Sequence, residues 1–312
     1  MLNSQAPRTV MMVRPDCFGY NPETAASNAF QQAADKDNIE NIREQALAEF
    51  NGLVSTLKAS GTEVIVFGSD DGRETPDAVF PNNWVSFHPD GKVILYPMLA
   101  PSRRQERRLE FITALEKQHS FEVGEIIDLS DFERQGLFLE GTGSLVMDYL
   151  HGVIYCNHSP RTDKILVNKV AEILGFTTCQ FTATDSAGQD IYHTNVLMCV
   201  GESFAVVCLE AITNLTERSE VELSLQKTGH EVIEITQHQL NQFAGNMMEM
   251  KNNHNQSILV MSEGAYNSLT DKQLSGLAKY SELVYSPVDT IEKYGGGSVR
   301  CMLAGVFLPR KQ

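Results

Sequence analysis

Six polar side chains fall at matching places along the chain, and their types define a chemistry. Asn83, Glu140, His193, Asn195, Asn246 and Cys301 each stand at or just before the start of an apolar, β-prone run. A free thiol titrates near ~8.5, and the thiolate is its nucleophilic form. An imidazole changes charge near neutral pH and favours a neighbouring thiolate when protonated. A carboxylate on the other ring nitrogen fixes the tautomer and favours the charged ring. Cys301, His193 and Glu140 are therefore the equipment of covalent catalysis, provided the fold brings them together. Gly295-Gly296-Gly297, just ahead of Cys301, gives the backbone freedom for close approach to a small ligand. Plainer readings stand beside these. A Cys in an apolar run is commonly a small buried hydrophobe, the reading adopted for Cys156, Cys179, Cys199 and Cys208. Asn82-Asn83 are also turn formers, and Glu140 is also a turn cap. Arg300 reads equally as a site cation or a solvated charge, and Asn246 as a substrate contact or a chain turn.

The elements that must position these residues repeat. Two β-prone runs flank turn residues at 83–88 and 92–96, 144–149 and 153–156, 196–200 and 204–208, and 247–250 and 257–261. A helical pattern follows each, over about 102–119, 162–175, 215–228 and 263–280, with Ser102, Thr162 and Ser262 as N-caps. A short strand then closes each unit, near 125–127, 177–178, 231–233 and 282–284. The ends supply a fifth unit: a strand over 301–308, another at 9–13, a helix over 39–59 and a strand at 63–67. Like units at this period predict a closed array, with the last strand beside the first and no open sheet edge. In such a ring the six polar residues converge at one mouth. An open α/β sheet with coincidental hairpins is the competing architecture. Residues 18–38 read either as a lid or lining for the site or as a surface connection.

Composition narrows the function. With 312 residues the chain is long enough for one large core or two ordinary ones. Lys and Arg number 25 against 40 Asp and Glu, so the net charge is 25 − 40 = −15, which argues against nucleic acid or an anionic membrane as partner. No stretch approaches the ~20 apolar residues that span a bilayer, and the start lacks the pattern of a signal peptide. The six cysteines form no CxxC pair, so reduced thiols in a cytoplasm are expected, with no disulfide framework and no metal site.

Several segments, in order along essentially the whole chain, resemble the guanidine-modifying superfamily of arginine deiminases, dimethylarginine dimethylaminohydrolases, amidinotransferases and succinylarginine dihydrolases. They are Pro76-Asp77-Ala78-Val79-Phe80-Pro81-Asn82-Asn83-Trp84, Ala100-Pro101-Ser102-Arg103-Arg104, Leu139-Glu140-Gly141-Thr142-Gly143, Ser159-Pro160-Arg161-Thr162, His193-Thr194-Asn195 and Cys301. The run Met12-Val13-Arg14-Pro15-Asp16-Cys17-Phe18-Gly19-Tyr20-Asn21 further looks like a bacterial branch of citrulline-utilisation hydrolases. The resemblance implies a single-domain, five-bladed α/β propeller over 1–312. It implies Cys301 as nucleophile at a ureido or guanidino carbon, His193 as general acid and base, and Glu140 orienting His193 or the substrate nitrogens. Asp77 would hold the substrate α-ammonium, and Arg103 and Arg161 its α-carboxylate. It implies no metal and no organic cofactor. The partner is a small amino acid, and homo-oligomerisation is left open.

The departures bear on the substrate. Deiminases place acids where Asn83 and Asn195 stand here, and Glu-Gly-Thr-Gly replaces the commoner Gly-Gly-Asp order. Two anions suit a guanidinium cation, whereas amides offer donors to a ureido carbonyl and acceptors to its amines. Citrulline, hydrolysed to ornithine, ammonia and carbon dioxide, is thus the expected substrate. The alternatives are an arginine, methylarginine or succinylarginine hydrolase, then an amidinotransferase, then a non-catalytic amino-acid-binding protein.

Overall fold

The computed structural model of the protein describes residues 4–33, 38–69 and 72–311. The apolar runs form fifteen strands among these residues. In chain order they are β1 (Thr9–Val13), β2 (Glu63–Phe67), β3 (Val85–Phe87), β4 (Lys92–Leu95), β5 (Glu125–Asp128), β6 (Val146–Asp148), β7 (Val153–Asn157) and β8 (Thr177–Phe181). Then follow β9 (Met198–Val200), β10 (Phe204–Val207), β11 (Glu231–Glu234), β12 (Met248–Lys251), β13 (Ser257–Ser262), β14 (Glu282–Ser286) and β15 (Ala304–Val306). They assemble as triplets of one pattern: an antiparallel hairpin whose second strand takes a parallel neighbour. Thus β3–β4–β5, β6–β7–β8, β9–β10–β11 and β12–β13–β14 share one order. β15 pairs antiparallel with β1, and β1 parallel with β2, giving the fifth triplet from opposite ends of the chain. A pairing of Val306 with Phe87 joins that triplet to β3. A parallel neighbour needs a crossover, and a helical segment supplies it each time.

Burial follows from position in the triplet. The middle strand is flanked on both sides and is mostly apolar; β1 and β10 are buried at every residue. The outer strands β2, β5, β11 and β14 each open with an exposed glutamate, at Glu63, Glu125, Glu231 and Glu282. A charged edge resists pairing with another chain. The crossover helix Ile39–Ala59 buries Ile42, Ala46, Phe50, Leu53 and Leu57, the three-and-four spacing of one helical face.

Several expected boundaries differ. The helix expected over 102–119 is a 3-10 segment, Pro101–Glu106, then an α-helix from Leu109 to Gln118, and Ser102 caps neither. The cause is the buried pairing of Arg103 with Glu106 three residues on, which spends the first turn on the interior. Asp163, not Thr162, caps Lys164–Leu174 by accepting from the Ile165 amide. The expected helix over 263–280 splits after Ser268, because Thr270 and Gln273 form a capping box that starts a second helix, Asp271–Leu277. Ser262 caps the first, as expected.

One further difference builds the site. Residues expected to begin strands instead form single helical turns ahead of them: Pro81–Asn83 before β3, Gly141–Ser144 before β6, Thr194–Leu197 before β9 and Val299–Met302 before β15. Each turn presents polar side chains at the same end of its triplet. Among the described residues no helix is long and apolar enough to cross a membrane.

Candidate active site

The turns converge on a cavity of about 260 Å³, lined by Asp77, Asn83, Arg103, Arg161, His193, Gly295–Gly297 and Cys301, together with Thr24, Asn28, Phe80 and Tyr192. Cys301 is buried and forms no disulfide, and its charged neighbours are buried as well. Two side-chain amides point at its sulfur: Asn195 Nδ2 and Asn246 Nδ2 each lie 3.3 Å from Sγ. Asn246 is held in place on both sides. Its Nδ2 also donates to the Asn195 carbonyl at 2.8 Å, and its Oδ1 accepts the Arg300 amide at 2.9 Å. That accepted bond fixes which amide atom faces the sulfur.

His193 lines the same cavity as Cys301, just ahead of the helical turn that leads into β9. Its Nε2 meets Glu140 Oε2 at 2.8 Å. Glu140 is wholly buried, and its Oε1 accepts the Leu99 amide at 3.1 Å. Arg161 Nη1 and Arg103 Nη1 stand 3.4 and 3.7 Å from its Oε2. Burial pushes the Glu140 carboxyl up, but Arg161, the His193 bond and Arg103 outweigh it and hold the group well below the usual carboxylate range. Burial pushes His193 down to about 4; the bond to Glu140 opposes this, and the two guanidiniums reinforce it. The pair is an ionised carboxylate beside a neutral imidazole. The charged ring expected from the sequence is thereby corrected, because burial penalises the charged imidazole and the guanidiniums that hold Glu140 ionised add to that penalty.

Gly143 leaves room for the imidazole. A Cβ there would lie 2.5 Å from Asn83 Nδ2 and 2.7 Å from His193 Nδ1. At the other end, Gly296 adopts φ 65°, and its carbonyl accepts from Asn28 Nδ2 at 3.2 Å and from the Tyr192 hydroxyl. These bonds shape the loop ahead of the thiol.

The expected substrate-contact residues are present but differently loaded. Arg103 gives Nε and Nη2 to Glu106 at 3.0 and 2.9 Å and Nη1 to Asn83 Oδ1 at 2.7 Å, so its bidentate edge is already taken. Arg161 stacks over the Tyr192 ring at 4.9 Å and donates to the Thr24 carbonyl and Ser27 Oγ, both at 2.8 Å. Asp77 accepts Asn21 Nδ2 at 2.6 Å. Burial raises the Asp77 carboxyl, against the pull of Arg103, the Asn21 bond and Arg161. Of residues 18–38, the stretch 21–28 contributes to the lining, while 34–37 lie outside the described residues. Arg300 lines a separate cavity of about 640 Å³ rather than that of Cys301. Sequence reasoning named none of Thr24, Asn28 and Tyr192 singly. The reading of residues 18–38 as a lining covers the first two, and adjacency to His193 was the signal for the third.

A mixed α/β chain with a thiol, an imidazole and its carboxylate at one cavity has the architecture and side-chain set of the guanidine-modifying superfamily. The family model described as N,N dimethylarginine dimethylhydrolase, eukaryotic, matches residues 14–308, and the chain belongs to this family. Among solved structures, the chain is similar to apo ArgZ, an arginine dihydrolase from the ornithine-ammonia cycle in cyanobacteria. The TM-score is 0.74 at 18% identity, covering 97% of this chain and 41% of that one. The chain thus spans less than half the length of that enzyme. The substrate-bound N-terminal domain of ArgZ, with its cysteine changed to serine, gives a TM-score of 0.72 at 17% identity, covering 95% and 96%. The dimethylarginine hydrolase of Pseudomonas aeruginosa, a cysteine-to-serine variant complexed with citrulline, gives 0.64 at 14% identity, covering 96% and 98%. No curated protein sequence matches the chain.

Proposed function

We propose that the chain hydrolyses citrulline to ornithine, ammonia and carbon dioxide, with Cys301 as nucleophile, His193 as general base then acid, and Glu140 orienting the ring. One observation carries this reading: the Cys301 sulfur sits between two amide donors at 3.3 Å, in the cavity that the Glu140-bound His193 lines. Amide N–H groups aimed at sulfur favour the thiolate. A neutral His193 is ready to take the thiol proton. The sulfur then attacks the ureido carbon, and His193 returns the proton to the departing ammonia. Water, deprotonated by His193, attacks the resulting thiocarbamate and expels the thiolate. The carbamate of ornithine is released and loses carbon dioxide. The sum is citrulline plus one water giving ornithine, ammonia and carbon dioxide.

The preference for a neutral ureido group rests on Glu140. Its Oε2 already faces His193 and two guanidiniums, so a substrate guanidinium finds no unshared anion at the reacting end. A buried cation without a partner is costly. Asn83 and Asn195 are amides and add no anion, and Asn195, whose Nδ2 points at the sulfur, has in Oδ1 a buried acceptor without a partner among the described atoms. Asp77 takes the α-ammonium, and Arg161, with Arg103 behind it, the α-carboxylate. Five strand triplets of one pattern, two of them joined by β15 and β3, support a five-bladed propeller formed by 1–312 as a single domain. Six unpaired cysteines support a cytoplasmic location.

A second reading is hydrolysis of arginine, methylarginine or succinylarginine, favoured by the likeness to an arginine dihydrolase. Ammonia and ornithine release, measured over a panel of ureido and guanidino amino acids, separates the two. The largest kcat/KM is expected for citrulline, and a larger value for arginine overturns the substrate assignment.

A further inference from the structure

At the far end of β6 from Glu140, three side chains from two triplets meet. Asp148 closes β6, His151 lies in the turn to β7, and His230 immediately precedes β11. His151 Nδ1 stands 2.9 Å from Asp148 Oδ2, and His230 Nε2 stands 3.9 Å from the same oxygen. One ligand atom from each residue falls within 4.8 Å of the others. Asp148 and His230 are buried, whereas the His151 side chain is 37% exposed and opens the cluster to solvent.

We propose that Asp148, His151 and His230 form a divalent-metal site suited to Zn2+, with water completing the coordination. Two imidazoles and a carboxylate are a borderline-soft donor set that fits zinc. Tetrahedral bonds of ~2.0–2.1 Å put ligand atoms about 3.3 Å apart, and the observed 2.9 and 3.9 Å bracket that spacing. The supporting bonds already exist. His230 Nδ1 lies 2.7 Å from Thr228 Oγ1, whose own hydroxyl reaches the Leu225 carbonyl at 3.0 Å. In that arrangement Nδ1–H donates to Thr228 and the Nε2 lone pair faces inward, which is the tautomer a metal needs. Nε2 then faces the Gly201 carbonyl at 3.1 Å as well as Asp148, so all three atoms can face a cation. The opposite tautomer, Nε2–H donating to Gly201, is the one that binding displaces. Asp148 Oδ1 accepts the His151 amide at 3.0 Å, which fixes the carboxylate and leaves Oδ2 toward the metal. The site clips the second strand triplet to the third, so its effect falls on stability and not on the thiol chemistry.

Zinc also has affinity for thiols, so the test uses the full chain carrying Cys301→Ser. Calorimetric titration with Zn2+ alone is expected to give one site, with Kd raised at least tenfold by His151→Ala and by His230→Gln and with the circular dichroism unchanged. His151 is partly exposed, so if His230→Gln fails to fold, His151→Ala decides alone. Tetrahedral visible bands from Co2+ should appear in Cys301→Ser and vanish in Cys301→Ser/His151→Ala. No binding in Cys301→Ser, or a change below tenfold in His151→Ala, overturns the site. Neither result bears on the hydrolase reading, because His151→Ala with Cys301 intact is expected to keep full turnover.

Discussion

Replacing Asn246 with alanine removes one of the two amide donors at the Cys301 sulfur while leaving Asn195 behind. A hydrogen bond to a charged acceptor contributes roughly 1.5–3 kcal/mol. The N···S contact is long, at 3.3 Å, so the lower end applies. About 1.5 kcal/mol is about tenfold in rate. The substitution also strips the Asn195 carbonyl and the half-buried Arg300 amide of their partners, costing about 1–3 kcal/mol of stability for each group left unpaired. Two readouts separate these effects. Alkylation of Cys301 by iodoacetamide at fixed neutral pH, followed by mass spectrometry, should slow about tenfold, and kcat/KM for citrulline should fall at least as far. Asn246→Asp should fall further, because it sets an anion beside the forming thiolate. Should Asn246→Ala alkylate at the wild-type rate while its melting temperature drops, Asn246 merely braces the chain, and the donor argument fails.

Three other outcomes follow from the same geometry. Cys301→Ser and His193→Ala should each nearly abolish turnover with the fold intact by circular dichroism; activity retained near the wild-type level in either removes the mechanism. Gly143→Ala should disable the enzyme without large loss of stability, since its methyl would meet the Asn83 amide at 2.5 Å and the His193 ring at 2.7 Å; steady-state kinetics beside a thermal melt reads both. Stability should decline as pH falls from about 6.5 toward about 4, because burial pushes both His88 and His193 down to about 4. The unfolded chain binds these protons first, so each ring costs roughly 3 kcal/mol across that window. Urea midpoints at pH 7 and pH 5 should differ accordingly, and His88→Gln should shrink the difference.

Much of this arrangement was legible from residue order. The repeated hairpins followed from alternation and turn residues, and the convergence of residues 83, 140, 193, 195, 246 and 301 followed from their shared register. What was not legible depends on contacts across the fold. The helical turns ahead of β3, β6, β9 and β15 read as strand starts, because a single turn has too few residues to show a period. The charge state of His193 was misjudged because it is set first by burial and then by Arg161 and Arg103, which are distant in sequence, and no local pattern reveals either. Arg103 looked free to clamp a carboxylate, since nothing in the sequence marks Glu106 as buried beside it. Asn246 had two equal readings until its amide was seen beside the sulfur.

The pairing of β15 with β1 on one side and β3 on the other has a bearing on how activity arises during biosynthesis. Cys301 stands just before β15, so of all the groups in the pocket it leaves the ribosome last. The pocket is complete only once β15 has met both β1, made first, and β3.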